Sequence, residues 1–293
     1  MQTEIESFAA ADRRFWPRSS QERAVERFYE PGVERYADYH GGMLNFGLWR
    51  DGVDDYRRAS ENLVRTVAGS IAVAPTSRLL DVACGMGAQD VFLARELDCG
   101  SIDGIDVTWK HVATARRRAR DARVQERVRF HHGTAVDLPF DGESFTHIIC
   151  IEGAEHFETR QRFLHQAFRV LAAGGRIALT DFSMKRTPRT AFERVLAELG
   201  RRGWHVPRAN LDTADGLRRK IQSAGFRNVR IEEAGADVIP GYYAEGRRPE
   251  NLQALYQIRG FCITRASLWI DALVYHLHRR GLLEYVFVSA EKP

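Results

Sequence analysis

The stretch Leu79-Leu80-Asp81-Val82-Ala83-Cys84-Gly85-Met86-Gly87-Ala88-Gln89 decides the reading of this chain. An apolar run gives way to a turn carrying two glycines, and an amphipathic stretch begins directly afterwards. Strand, glycine turn and helix start make a nucleotide-sized site, because glycine lets backbone N–H groups approach a ligand closely. A second apolar run ends at Asp106, 21 residues after Gly85, where a carboxylate accepts hydrogen bonds from ribose hydroxyls. The dinucleotide pattern G-x-G-x-x-G is not met, since Asp90 stands at the third glycine position, where it would repel a pyrophosphate. No GK[ST] follows, which excludes a P-loop. Asp81, ahead of the glycines, suits a ligand with positive charge, an amine or a sulfonium.

Around this stretch, short apolar runs alternate with helical patterns, the signature of βαβ units in a parallel sheet. Strands are predicted over 78–83, 101–105, 128–131, 146–151, 176–180 and 229–233, with a last one over 283–290. Helices are predicted over 88–97, 109–122, 159–171, 190–200 and 214–223, from apolar residues three and four apart. Ala172-Ala173-Gly174-Gly175 reads as the C-cap of the third of these. Residues 1–76 read as a helical, aromatic-rich cap broken at Trp16-Pro17, Pro31-Gly32 and Gly41-Gly42. Residues 234–281 read as a helical insertion with a Pro-Gly break at 240–241, and 282–293 as the final core strand. The core between them is residues 77–233.

The 293 residues suffice for one or two domains. Of 43 basic side chains 39 are Arg, and the formal charge is +4, which raises a nucleic-acid reading. Their distribution argues against it. Residues 1–150 carry 20 basic and 23 acidic groups, and the run Arg116-Arg117-Arg118-Ala119-Arg120 is interspersed with acids as a solvated helix face would be. No RNP1-type aromatic signature, zinc-finger spacing or heptad is present. The longest uncharged stretch, Thr66–Ser77, is too short to span a bilayer. The polar start shows no secretory signal, and Cys84, Cys99, Cys150 and Cys262 show no pairing or metal spacing. The expectation is a cytoplasmic protein without nucleic-acid or membrane partners and without a metal.

Asp81-Val82-Ala83-Cys84-Gly85-Met86-Gly87 resembles motif I of the class I S-adenosylmethionine-dependent methyltransferases, acid-x-Gly-x-Gly-x-Gly, with Ala83 in place of the first glycine. The resemblance continues through Asp106, Gly133–Phe140, Glu152-Gly153-Ala154-Glu155-His156-Phe157, Arg169–Gly175 and Tyr285–Pro293, about three-fifths of the chain. It implies an α/β, Rossmann-like, doubly wound seven-stranded sheet with an antiparallel last strand. It also implies that S-adenosylmethionine lies against Ala83, Gly85, Gly87, Gln89, Thr134, Ala135 and Glu152. Asp81 would help hold its ammonium, Asp106 its ribose, and Val107 would pack on adenine. The adenine amino group would meet the Thr134 hydroxyl, the backbone at Ala135, or Asp137.

On the acceptor side, residues just past the fourth and fifth strands stand nearest the transferred methyl group. His156 is the natural base at neutral pH, with Asp181 as its partner. Sugar and natural-product O-methyltransferases carry His and Asp at the matching places, whereas Glu155-His156 also resembles the tocopherol C-methyltransferase group. A structural hydrogen bond at His156, and a metal held by Glu152, Glu155 and Asp181, are the competing readings. Tyr36–Trp49 resembles the entry segment of small-molecule methyltransferases. Tyr39, Trp49, Glu155, Tyr243 and Trp269 are the candidate substrate contacts. The expected activity is methylation of a small, largely apolar or aromatic metabolite, on oxygen or alternatively on carbon or nitrogen. A non-catalytic cofactor-binding scaffold is the reading outside enzymes, and a homodimer is compatible with the aromatic surfaces.

Overall fold

A computed structural model describes residues 18–29 and 41–293 and contains a single seven-stranded sheet among them. The strands are β1 (Arg78–Val82), β2 (Ser101–Asp106), β3 (Val128–His132), β4 (Phe145–Ile151), β5 (Leu171–Met184), β6 (Arg227–Glu233) and β7 (Leu283–Glu291). Their spatial order is β3-β2-β1-β4-β5-β7-β6, with β7 antiparallel to both neighbours and the remaining pairs parallel. The doubly wound sheet with its antiparallel last strand is therefore as the sequence implies. Strand order reverses between β1 and β4, so the loops leaving those two strands diverge and open a crevice at their carboxyl ends.

Helices α3 (Ala88–Glu96), α4 (Trp109–Asp121), α5 (Arg160–Val170) and α7 (Ala214–Ser223) alternate with the strands. The strands' alternation sends Leu79 and Ile149 into one apolar layer with Leu93, Val112 and Ala115, and Leu80, Val82 and Ile148 into another with Phe163, Leu164 and Leu217. Each such Leu, Ile, Val or Phe side chain contributes roughly 1.5–3 kcal/mol when taken fully out of water. Both faces of β1 are covered, so every residue from Leu79 to Val82 is buried, Asp81 included.

The remaining helices are α1 (Ser20–Tyr29), α2 (Tyr56–Ser70), α6 (Ala191–Gly203), α8 (Gly235–Glu245) and α9 (Pro249–Arg279). Asp55, Thr159, Thr190 and Thr213 cap α2, α5, α6 and α7 with side-chain oxygens, satisfying backbone N–H groups the helices leave open.

Three local readings are corrected. Helix α5 ends at Val170, where Leu171 is already extended, so Ala172–Gly175 belongs to β5 and is not a helix cap. Strand β5 is much longer than 176–180 because it pairs with β4 on one edge and with β7 on the other. Pro240 lies inside α8 without breaking it, and the irregular point of the insertion is Gly260 within α9, at φ +76°. The predicted breaks at Trp16-Pro17 and Pro31-Gly32 fall outside the described residues.

Candidate active site

The loop after β1 turns through left-handed backbone at Ala83 (φ +64°), Gly85 (φ +55°) and Gly87 (φ +71°). The two glycines serve different needs. A Cβ on Gly85 would meet nothing within 4 Å among the described residues, so that residue faces the cleft. A Cβ on Gly87 would lie 2.5 Å from the Phe130 ring and 2.8 Å from Ala115, so Gly87 packs inward and leaves the cleft wall to its neighbours.

The cleft, of about 1040 Å³, lies at the carboxyl ends of β1, β2 and β4. Of the residues expected to hold the cofactor, Ala83, Gly85, Gln89, Asp106, Val107, Thr134, Ala135 and Glu152 line it. Asp106 closes β2 with both oxygens engaged: Oδ2 accepts the Gly85 N–H at 3.0 Å and Oδ1 the Thr108 N–H at 2.8 Å. Burial pushes its carboxyl up, but the His111 ring beside it (Nδ1 3.4 Å from Oδ1) and the Thr108 and Gly85 N–H donors outweigh that, and it titrates below the usual range. It is thus an ionised acceptor fixed at the rim. Asp81 is fully buried behind the wall, where Gln89 Nε2 donates to it at 2.5 Å. Its contact with a ligand's ammonium would therefore run through Gln89. Asp137 is exposed and lies outside the cleft lining, which leaves Thr134 and Ala135 of the three adenine candidates.

His156 stands in a 3-10 turn after β4, 6 % exposed, and lines the same cleft. Its Nε2 is 3.0 Å from the hydroxyl of Tyr29, which α1 brings across the cleft mouth. Gln21 of α1 secures that crossing by donating to the backbone carbonyls of His156 and His205. Burial lowers the imidazole pKa to about 4, so it is neutral at pH 7.

Asp181 is not its partner. Both carboxylate oxygens are taken by the buried Arg160, and Oδ1 also accepts the Phe182 N–H. A charge with no access to water requires a full set of donors, and Arg160 supplies them. Nor do Glu152, Glu155 and Asp181 gather for a cation: no group of three potential metal ligands occurs among the described residues.

A second chamber of about 880 Å³ adjoins the cleft, and Tyr29, Leu44 and Glu152 line both. Phe28, Phe46, Trp204 and Tyr242 give it aromatic walls, and Glu155 is its expected residue. The other substrate candidates fall elsewhere. On α8, Tyr242 stacks on Phe46 at 4.0 Å, while Tyr243, one residue and about 100° further round, stacks on Tyr275 of α9. Trp269 is 52 % exposed, because Ser267, Ile270 and Asp271 are the residues α9 turns to the chamber. Trp49 donates to the Phe46 carbonyl and packs against Gly241, which fastens the entry segment to α8. Tyr39 lies outside the described residues.

Sequence reasoning missed Tyr29, Arg160, Trp204, Arg259 and Asp271. Aromatic enrichment of the cap was the available signal for Tyr29; the others carry none, since each acts through a partner distant in sequence.

A family model for a methyltransferase domain matches residues 79–175. The 27-O-demethylrifamycin SV methyltransferase of Amycolatopsis mediterranei is 34% identical over 89% of this chain and 96% of its own length. The chain belongs to the methyltransferase family. The erythromycin 3''-O-methyltransferase of Saccharopolyspora erythraea is 28% identical over 89% of this chain and 88% of that one. The crystal structure of the [4+2]-cyclase SpnF shares the fold, with a TM-score of 0.74 at 23% identity over 96% of this chain and 99% of that one. This methyltransferase is S-adenosylmethionine-dependent, and no helix among its described residues is long and apolar enough to cross a membrane.

Proposed function

We propose that this methyltransferase methylates a hydroxyl oxygen on a small, largely apolar metabolite of secondary metabolism. The observation that carries the reading is the juxtaposition of the cleft and the aromatic chamber across Tyr29, Leu44 and Glu152. A cleft with open space at Gly85 and an ionised Asp106 suits S-adenosylmethionine, which when bound supplies an electrophilic methyl group. Gly85 offers backbone, Asp106 takes the ribose hydroxyls, Gln89 set by Asp81 faces the methionine end, and Val107, Thr134 and Ala135 flank the adenine.

Transfer to oxygen releases a proton. His156, neutral at pH 7, accepts it, and Tyr29 carries it because this tyrosine lines both spaces while His156 lines only the cleft. As Tyr29 takes the acceptor proton, its own passes to Nε2. Helices α1, α8 and α9 form the cover that selects the acceptor and keeps water from the methyl group. The names of curated relatives support oxygen as the acceptor, although N-methyltransferases also occur among them.

The test is incubation with methyl-labelled S-adenosylmethionine and extract of the producing organism, followed by mass and NMR analysis of the labelled product. A label on oxygen, lost in His156→Ala with cofactor affinity intact, is the expected result. A label on carbon or nitrogen, or near-normal turnover of His156→Ala, would overturn it.

A further inference from the structure

The aromatic chamber holds more acid than methyl transfer to a neutral hydroxyl requires. Glu155 is 1 % exposed, and its Oε2 has no hydrogen-bond partner among the described residues. Glu152 and Asp271 line the same space, and Arg259 is the single basic side chain among the described residues of the lining. Glu152 has its Oε1 engaged by the Phe46 N–H and the Tyr285 hydroxyl, and Arg247 and Arg259 act electrostatically on Asp271, whereas Glu155 has Oε1 4.0 Å from His156 Nε2, feels the charge of Arg160, and keeps Oε2 without a donor among the described residues. A buried, unpartnered carboxyl costs free energy unless something arrives to pair with it. Around these acids stand the rings of Phe46, Trp204 and Tyr242, whose faces attract a cation held over them.

We propose that the chamber takes a protonated amine carried by the methyl acceptor, held between Glu155 and Asp271 and enclosed by the rings of Trp204 and Tyr242. The inference rests on the chamber being the acceptor site and narrows the acceptor to an amine-bearing, otherwise apolar molecule. Carboxylates supply the charge, while the rings strip water from the alkyl groups on nitrogen. A neutral hydroxyl would pair one oxygen of Glu155 but gain nothing from the rings.

Burial pushes Glu155 well above the carboxylate range, the charges of Asp181 and Glu152 adding to it and that of Arg160 opposing it, and burial brings Asp271 to about 7 against the pull of Arg247 and Arg259. Glu152 is raised to about 8, again by burial first. A cation entering among these groups, with Arg259 and Tyr29 facing them, favours their ionised forms, so its binding releases protons.

The test uses the full chain saturated with S-adenosylhomocysteine, titrated calorimetrically at pH 7 with protonated N,N-dimethylbenzylamine and with its neutral isostere, 2-methylpropylbenzene. The cation is expected to bind at least tenfold more tightly, with proton release read from buffers of different ionisation enthalpy. Glu155→Gln and Asp271→Asn should each weaken the cation tenfold while leaving the isostere and S-adenosylhomocysteine unaffected. Equal affinity for the two probes, no binding of the cation, or an unchanged cation affinity in both variants would overturn the proposal. Intact S-adenosylhomocysteine binding in those cases confines the failure to the amine. Its loss in the unmodified chain would overturn the cofactor reading as well.

Discussion

Arg160 holds Asp181 through two parallel hydrogen bonds, Nε to Oδ2 at 2.6 Å and Nη2 to Oδ1 at 2.5 Å, with both side chains almost wholly buried. The same guanidinium reaches Asp212 and the carbonyls of Asn210 and Phe182, so one cation ties α5 to β5 and to the segment after α6. Removing one member strands the other in a low-dielectric interior. Arg160→Met should therefore cost about 3–5 kcal/mol in urea unfolding. In Asp181→Asn, the pH profile of methyl transfer should keep its shape, because Asp181 does not touch His156.

The left-handed backbone at Ala83 imposes a condition across the cleft. A Cβ on Gly153 would lie 2.5 Å from the Ala83 methyl, closer than two carbons can approach. Gly153→Ala should destabilise by about 1–3 kcal/mol, the range for overpacking. Adding Ala83→Gly should recover most of that loss, with a coupling above about 0.5 kcal/mol in the double-mutant cycle.

Gly85 and Gly87 separate ligand space from packing. Gly85→Ala adds a methyl group to the cleft at the cost of about 1–2 kcal/mol of left-handed strain. The protein should stay folded and lose affinity for S-adenosylhomocysteine by about tenfold or more in calorimetry. Gly87→Ala drives a methyl into Phe130 and Ala115, so its effect should appear first in the thermal midpoint.

Much of this arrangement was legible because its determinants are local. The apolar period, the glycine turn and the acid ending β2 lie within about 30 residues, and each constrains the backbone that carries it. The parts that escaped depend on encounters across the chain. Asp181 looked like a histidine's partner until Arg160, 21 residues away, claimed both its oxygens. Tyr243 and Tyr242 are alike as sequence, and the phase of α8 alone decides which one faces the chamber. Pro240 breaks nothing, because α8 accommodates it within its 11 residues.

Two buried groups give stability opposite pH slopes. Glu152 titrates at about 8 in the fold against an ordinary 4.5, so the folded state binds its proton more tightly and stability falls as pH rises through that interval. Glu152→Gln should flatten the fall by up to about 1.4 kcal/mol per pH unit. His156 titrates at about 4 against 6.5, so the unfolded chain binds that proton more tightly and stability falls as pH drops from 6.5 towards 4. His156→Gln should remove this acid limb in denaturant titrations.

Tyr29 is the one described contact from α1 to a candidate catalytic side chain. Tyr29→Phe keeps the ring packing and deletes the hydroxyl 3.0 Å from His156. Turnover should fall by about tenfold or more, corresponding to about 1.4 kcal/mol of barrier, with cofactor affinity changed less than twofold. An unchanged rate would assign Tyr29 to closure of the cleft alone.

Strand β7 enters the sheet between β5 and β6, although it is the last element in chain order. During synthesis β6 leaves the ribosome well before the strand it must pair with. Until residues 283–291 emerge, one edge of β5 and the whole of β6 lack their hydrogen-bond partners, and Glu152 lacks the Tyr285 hydroxyl. A nascent chain arrested just short of β7 should carry a formed β1–β4 half and a cleft whose Glu152 lacks its tyrosine donor. Closure of the sheet and the hydrogen bond that fixes Glu152 at the cleft therefore both wait on the last strand in chain order.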